Sequence, residues 1–169
     1  MKKKPVKPSK KGLYFVIIIG AVIIGLVIAV SYYIDQAKIV GQRFGTNLEQ
    51  IQVDLKKEVS GYESKLTIWK EDGISKQEIL QISENHLIEL EKILERYDNL
   101  QTPQAFAYSV ELFKSSTQSQ IESDKLLKEW IETGDNSTKI RSDELLQQSF
   151  EYETSALSSF NMVKNGATP

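Results

Sequence analysis

The chain holds one histidine, His86, and no cysteine. Without cysteine there is no thiolate nucleophile, no disulfide, no thiolate zinc site and no residue for a cysteine-linked lipid anchor. A single histidine cannot supply the paired Glu-x-x-His motifs of a di-metal helical bundle, and Ser83 stands where such a motif needs its glutamate. His-Glu-x-x-His, a phosphate-cradling Gly-rich loop and Gly-x-Ser-x-Gly do not occur in the sequence either. The chain is therefore expected to be no enzyme and to take no cofactor and no metal. His86 keeps one special property: with an ordinary pKa near 6.5 it is the side chain able to change charge in mild acid.

What chemistry remains lies in polar residues that helical spacing turns inward. Thr117 and Asp124 share one stripe and Gln147 and Thr154 another, with Tyr62 and His86 at similar heights on two further stripes. Buried polar groups are costly unless hydrogen-bonded. The layer Tyr62, His86, Thr117, Asp124, Gln147 and Thr154 must form a closed network, fix helix register, or line a small wet cavity.

Four helices are expected to position that layer. Phe44, Leu48, Ile51, Leu55, Val59, Tyr62, Leu66 and Trp69 recur every three or four residues, so a first helix runs to about Glu71 and stops at Gly73. Ser75-Lys-Gln-Glu78 is a capping box, and Ile74 and Ile79 fall at the positions of a hydrophobic staple. The second helix buries Ile79, Ile82, His86, Leu90, Ile93, Tyr97 and Leu100. After a break at Gln101, Thr102 is the expected N-cap of the third, with Pro103 at its first position. That helix turns Phe106, Val110, Phe113, Thr117, Ile121, Asp124, Leu127 and Ile131 inward and ends before Gly134, a residue suited to a left-handed cap. The fourth starts near Asn136, buries Ile140, Gln147, Phe150, Thr154, Leu157 and Phe160, and stops at Asn165-Gly166. Short connections make an antiparallel up-down-up-down four-helix bundle, an all-α fold, the economical solution.

Ahead of these helices, residues 12–34 carry no charge, and Lys2, Lys3, Lys4, Lys7, Lys10 and Lys11 precede them. At ~1.5 Å per residue the stretch covers the ~30 Å hydrocarbon layer as one transmembrane helix. The lysines are expected to stay in the cytoplasm, which sends the rest of the chain outside it. Cleavage as a signal peptide is the competing reading, with Ala29-Val30-Ser31 as the small residues of the site, but the apolar run exceeds the ~7–15 residues of such segments. Ala21, Gly25 and Ala29 lie four residues apart, a small-residue face on which the span could dimerise or dock a partner helix.

The expected organisation is a Lys-rich leader at 1–11, the span at 12–34, a connection at 35–45 that is either a hinge at Gly41 and Gly45 or, as favoured, one continuous helix through them, the bundle at 46–165 and a disordered tail at 166–169. Beyond the span the chain carries 15 Lys and Arg against 23 Asp and Glu. So acidic a domain excludes a nucleic-acid partner, which needs a basic face. Asn136-Ser137-Thr138 is a glycosylation sequon in the expected turn between the third and fourth helices. Trp69 and Trp130 fall near the same end and are expected to plug the core there.

The basic leader, the span from Gly12 to Ile34 and the long helix that follows it resemble, in outline, the extracytoplasmic four-helix sensor domains of chemoreceptors and sensor kinases. The resemblance implies a ligand-responsive bundle at the membrane. The chain departs from that pattern after Phe160, where neither a second span nor an output module follows, so any signal would have to pass through another protein. The expected function is a single-pass, membrane-anchored helical interaction protein at the cell envelope. Its partners would be the lipid bilayer and a membrane or envelope protein, with a homodimer as a further option. The alternative is a ligand-binding accessory subunit whose polar layer holds a small molecule.

Overall fold

A computed structural model describes residues 41–166. The charge-free stretch 12–34, its lysine leader, the Ala21–Gly25–Ala29 face and residues 167–169 lie outside the described residues. Among the described residues no helix is long and apolar enough to cross a membrane.

One compact unit starts at Arg43. Its elements are α1 (41–70), α2 (Lys76–Asp98), a 3-10 turn (Gln104–Phe106), α3 (Ala107–Thr133) and α4 (Asn136–Lys164). The described residues are all-helical. Gly41 is the first described residue of α1, and the helix continues past Gly45 without a break.

Side-chain pairs give the direction of each helix. Gln52 meets Tyr97 and Tyr62 meets Ser83, so α1 and α2 are antiparallel. Thr117 meets Tyr97 and Asp124 meets His86, so α2 and α3 are antiparallel too. Ser109 meets Ser159 and Ser123 meets Ser142, which reverses the chain once more between α3 and α4.

Local signals set the ends. α1 closes in a Schellman motif: the Gly73 N–H donates to the Ile68 carbonyl at 2.8 Å and the Asp72 N–H to that of Trp69 at 3.0 Å. The left-handed residue there is Asp72 (φ 58°) and not Gly73. Gly73 is needed for close approach, because a Cβ on it would fall 2.7 Å from the Ile68 Cγ2. Ser75 caps α2 as expected, its hydroxyl accepting from the Glu78 N–H at 3.1 Å. Gly134 takes the left-handed position after α3 at φ 76°.

The entry to α3 differs from the expectation. Pro103 sits before a 3-10 turn whose Phe106 N–H donates to the Pro103 carbonyl at 2.8 Å, and regular helix begins only at Ala107. That tight turn brings the Phe106 ring to 5.3 Å from Phe44 and 4.9 Å from Phe160, so α1, α4 and the turn share one aromatic cluster.

The core lies mainly among α1, α2 and α3. Phe44, Leu48 and Ile51 pack with Ile93, Tyr97, Val110, Phe113 and Ala156 at one end. Leu87, Leu90 and Ile121 fill the middle, and Tyr62, Leu66, Ile79 and Ile131 the other end. Trp69 and Trp130 pack against this last cluster edge-to-face, 5.9 Å apart, where they plug the core.

The fourth helix corrects the expectation most. Ile140, Phe150 and Leu157 are exposed, as are Gln147 and Thr154, while Thr138, Ser142, Ser149, Ala156 and Ser159 are buried. The buried face is the one made of small residues. It meets Ser109, Ser116 and Ser123, a second inward face of α3 at seven-residue spacing. The Ser116 hydroxyl donates to the Ser149 carbonyl and the Ser149 hydroxyl to the Ser116 carbonyl, both at 2.9 Å. Ser123 repeats the contact with the Ser142 carbonyl at 2.8 Å. A serine hydroxyl ends one bond past Cβ, so it reaches the main chain of a neighbouring helix only where the two backbones lie close together. Larger apolar side chains on that face would hold the helices apart.

Candidate functional site

At mid-height in the bundle, α1, α2 and α3 converge on His86. The stripe of α2 that buries Ile79, Leu90 and Ile93 also carries His86 inward. Its Nδ1 lies 2.9 Å from Glu58 Oε1 on α1, and its Nε2 lies 3.2 Å from Asp124 Oδ2 on α3. Gln120, one helical turn before Asp124, donates to the same Oδ2 at 2.8 Å. The Tyr62 ring stacks on the imidazole with centroids 4.1 Å apart and planes 16° from parallel. Ser83 donates its hydroxyl to the Ile79 carbonyl at 2.8 Å, which leaves its oxygen to accept from the Tyr62 hydroxyl at 2.8 Å.

The electrostatics follow from that geometry. Burial opposes a charged imidazole, but the bonds to Asp124 and Glu58, together with their negative charges, outweigh it and raise the His86 pKa above 6.5. Burial pushes Tyr62 up to about 12 against the opposing effect of its Ser83 bond, with the charge of Asp124 adding to the rise.

Thr117 belongs to a separate polar contact nearer the Phe44 end. Its hydroxyl donates to the Phe113 carbonyl at 3.1 Å and lies 3.3 Å from the Tyr97 hydroxyl, which accepts from Gln52 at 2.7 Å. Of the expected layer, then, Tyr62, His86 and Asp124 come together and Thr117 joins a neighbouring network. Gln147 and Thr154 take no part, because α4 turns them to solvent. Periodicity missed Glu58, Ser83 and Gln120. Glu58 lies one helical turn before Tyr62, Gln120 one turn before Asp124, and Ser83 one turn after Ile79, and that spacing was the available signal.

Asn136 is exposed, but it is the first residue of α4 and not part of a loop. The sequon's Thr138 is buried, its hydroxyl donating to the Asp135 carbonyl at 2.7 Å. Among the described residues no group of His, Asp or Glu is arranged to hold a metal ion. The two carboxylates approach His86 from opposite edges of its ring, so they do not converge on one point. No buried side-chain polar atom among the described residues lacks a hydrogen-bond partner.

A second feature lies between α1 and α4. Their facing sides do not close along the middle of the bundle, and a cleft of about 450 Å³ opens there over α3. Leu55 and Val59 form one wall, Phe150 and Leu157 the other, and Phe113, Ser116 and Thr117 the floor; Lys56, Glu63 and Glu153 stand on the rims. Phe150 and Leu157 are 54% and 48% exposed. Every polar floor group is already bonded within the protein: Ser116 to Ser149, Thr117 to Phe113, Gln120 to Asp124. Comparison with protein families, with curated proteins and with solved structures finds no match to this chain.

Proposed function

We propose that this chain is a membrane-anchored helical interaction protein of the cell envelope, which receives an apolar helix of a membrane or envelope partner in the cleft between α1 and α4. The unclosed α1–α4 seam carries the reading. An ordinary four-helix bundle buries the facing sides of its first and last helices, whereas here Phe150 and Leu157 stay half-exposed beside Leu55 and Val59. A partner helix would bury those side chains as a small apolar centre, and the mixed charges of Lys56, Glu63 and Glu153 would form the polar rim around it.

The charge-free stretch at 12–34 behind six lysines supports the anchored, N-terminus-inside orientation. The alternative of a small-molecule subunit draws less support, because Ser116, Thr117 and Gln120 inside the cleft are spent on bonds within the protein and the remaining charges stand on its rims.

Photo-crosslinking in the native membrane tests the proposal. A photoreactive residue at Phe150 in the full-length chain should trap a protein of defined mass, and the same group at Tyr108, exposed elsewhere on the bundle, should not. Equal adducts from the two positions, or none from Phe150, would refute it.

A further inference from the structure

The two nitrogens of one buried imidazole each face a carboxylate oxygen, Glu58 Oε1 at 2.9 Å and Asp124 Oδ2 at 3.2 Å. An ionised carboxylate only accepts hydrogen bonds, so both contacts are satisfied together only when both nitrogens carry hydrogen. A neutral ring has one N–H and one lone pair. The lone pair and a carboxylate repel, and one contact must then open.

The surroundings decide which contact yields. The Asp124 side chain is 6% exposed, and the Gln120 amide holds it in place; the Glu58 side chain is 33% exposed and can swing into water. Tyr62 and Lys65 face the same seam from α1, and Asn85 and Glu89 from α2.

We propose that Glu58–His86–Asp124 is a proton-operated latch: the doubly protonated ring clamps α1 to α3 through α2, and loss of the Nδ1 proton releases Glu58 and loosens the α1–α2 seam. The Nε2–H stays on Asp124 throughout, so α2 and α3 remain joined. The released edge is lined by Gly61, Tyr62 and Ile82, and the stacked Tyr62 ring moves with α1. α1 also forms one wall of the α1–α4 cleft, but the latch contacts face α2 and α3 and are tested with no partner in that cleft.

The chain's single histidine makes the test direct. Nitrogen-15 NMR of the full-length chain in detergent, titrated from pH 5 to 10, reads the two ring nitrogens of one residue. Both should be protonated at low pH, and the neutral form should be the Nε2–H tautomer. Over the same range, amide exchange in residues 58–65, corrected for its intrinsic pH dependence, should lose about tenfold protection as the ring titrates.

Glu58→Gln should abolish that loss, because an amide can accept from the charged ring and, turned over, donate to the neutral one. A neutral ring carrying its proton on Nδ1, or unchanged exchange across the wild-type titration, would overturn the latch. So would the same loss of protection in Glu58→Gln. The wild-type titration decides the matter even if the variant folds poorly.

Discussion

His86 is held in its charged form by Asp124 and Glu58, and this sets the sign of its contribution to stability. Its folded pKa lies above the 6.5 of an unfolded chain. The stabilisation is therefore fully present below about pH 6.5 and is lost as pH rises through the folded pKa. The urea midpoint of the full-length chain should fall from pH 6 towards pH 9, and His86→Gln should remove that dependence. Asp124 is the more sensitive partner. Asp124→Leu would leave the Nε2 hydrogens of His86 and Gln120 without an acceptor in a buried site, a loss expected to cost about 3–5 kcal/mol in equilibrium unfolding. A neutral or stabilising Asp124→Leu would mean that the aspartate is dispensable to the network.

Among the elements, α4 is held differently from its neighbours. Helices α1, α2 and α3 meet through Leu, Ile, Phe and Tyr side chains, whereas α4 meets α3 through Thr138, Ser142, Ser149, Ala156 and Ser159. Their contact rests on close backbones and on hydroxyls bonded across the helices, so it tolerates little added volume. Ser149→Leu should cost about 1–3 kcal/mol or more by forcing α3 and α4 apart. Phe150→Leu, one residue along and exposed, should leave stability within about 0.5 kcal/mol. Similar losses from the two variants would show that the serine face is not a close contact.

For the whole molecule, the proposed topology has a simple consequence. Protease added to intact cells should degrade the helical domain and spare a short lysine-rich stub attached to the apolar stretch, since lysines flanking a first span stay inside. Recovery of a mature chain beginning near Tyr32 would instead show cleavage after the apolar run. The acidic balance beyond residue 34, 23 Asp and Glu against 15 Lys and Arg, makes copies of the helical domain repel one another and suits the proposed role beside a membrane.

The sequence alone determined the four helices of the described residues, the capping of α2 by Ser75, the left-handed Gly134 and the inward apolar stripes of α2 and α3, because each follows from spacing and chemistry within a few residues. It also placed Tyr62, His86 and Asp124 inside, since each shares a stripe with large apolar neighbours. The buried face of α4 was decided only by tertiary structure. Its large apolar residues Ile140, Phe150 and Leu157 share one helical face with Gln147 and Thr154, and periodicity assigns the core to the face with more hydrophobic area. The structure buries the serines, because two helices gain more from close backbones and reciprocal hydroxyl bonds than the local pattern can register. Partner choice was decided in the same way. Glu58 and Gln120 lie off the inward apolar stripes of α1 and α3, and only the meeting of three helices around one imidazole gives Glu58 a His86 nitrogen to face and Gln120 the Asp124 carboxylate to hold.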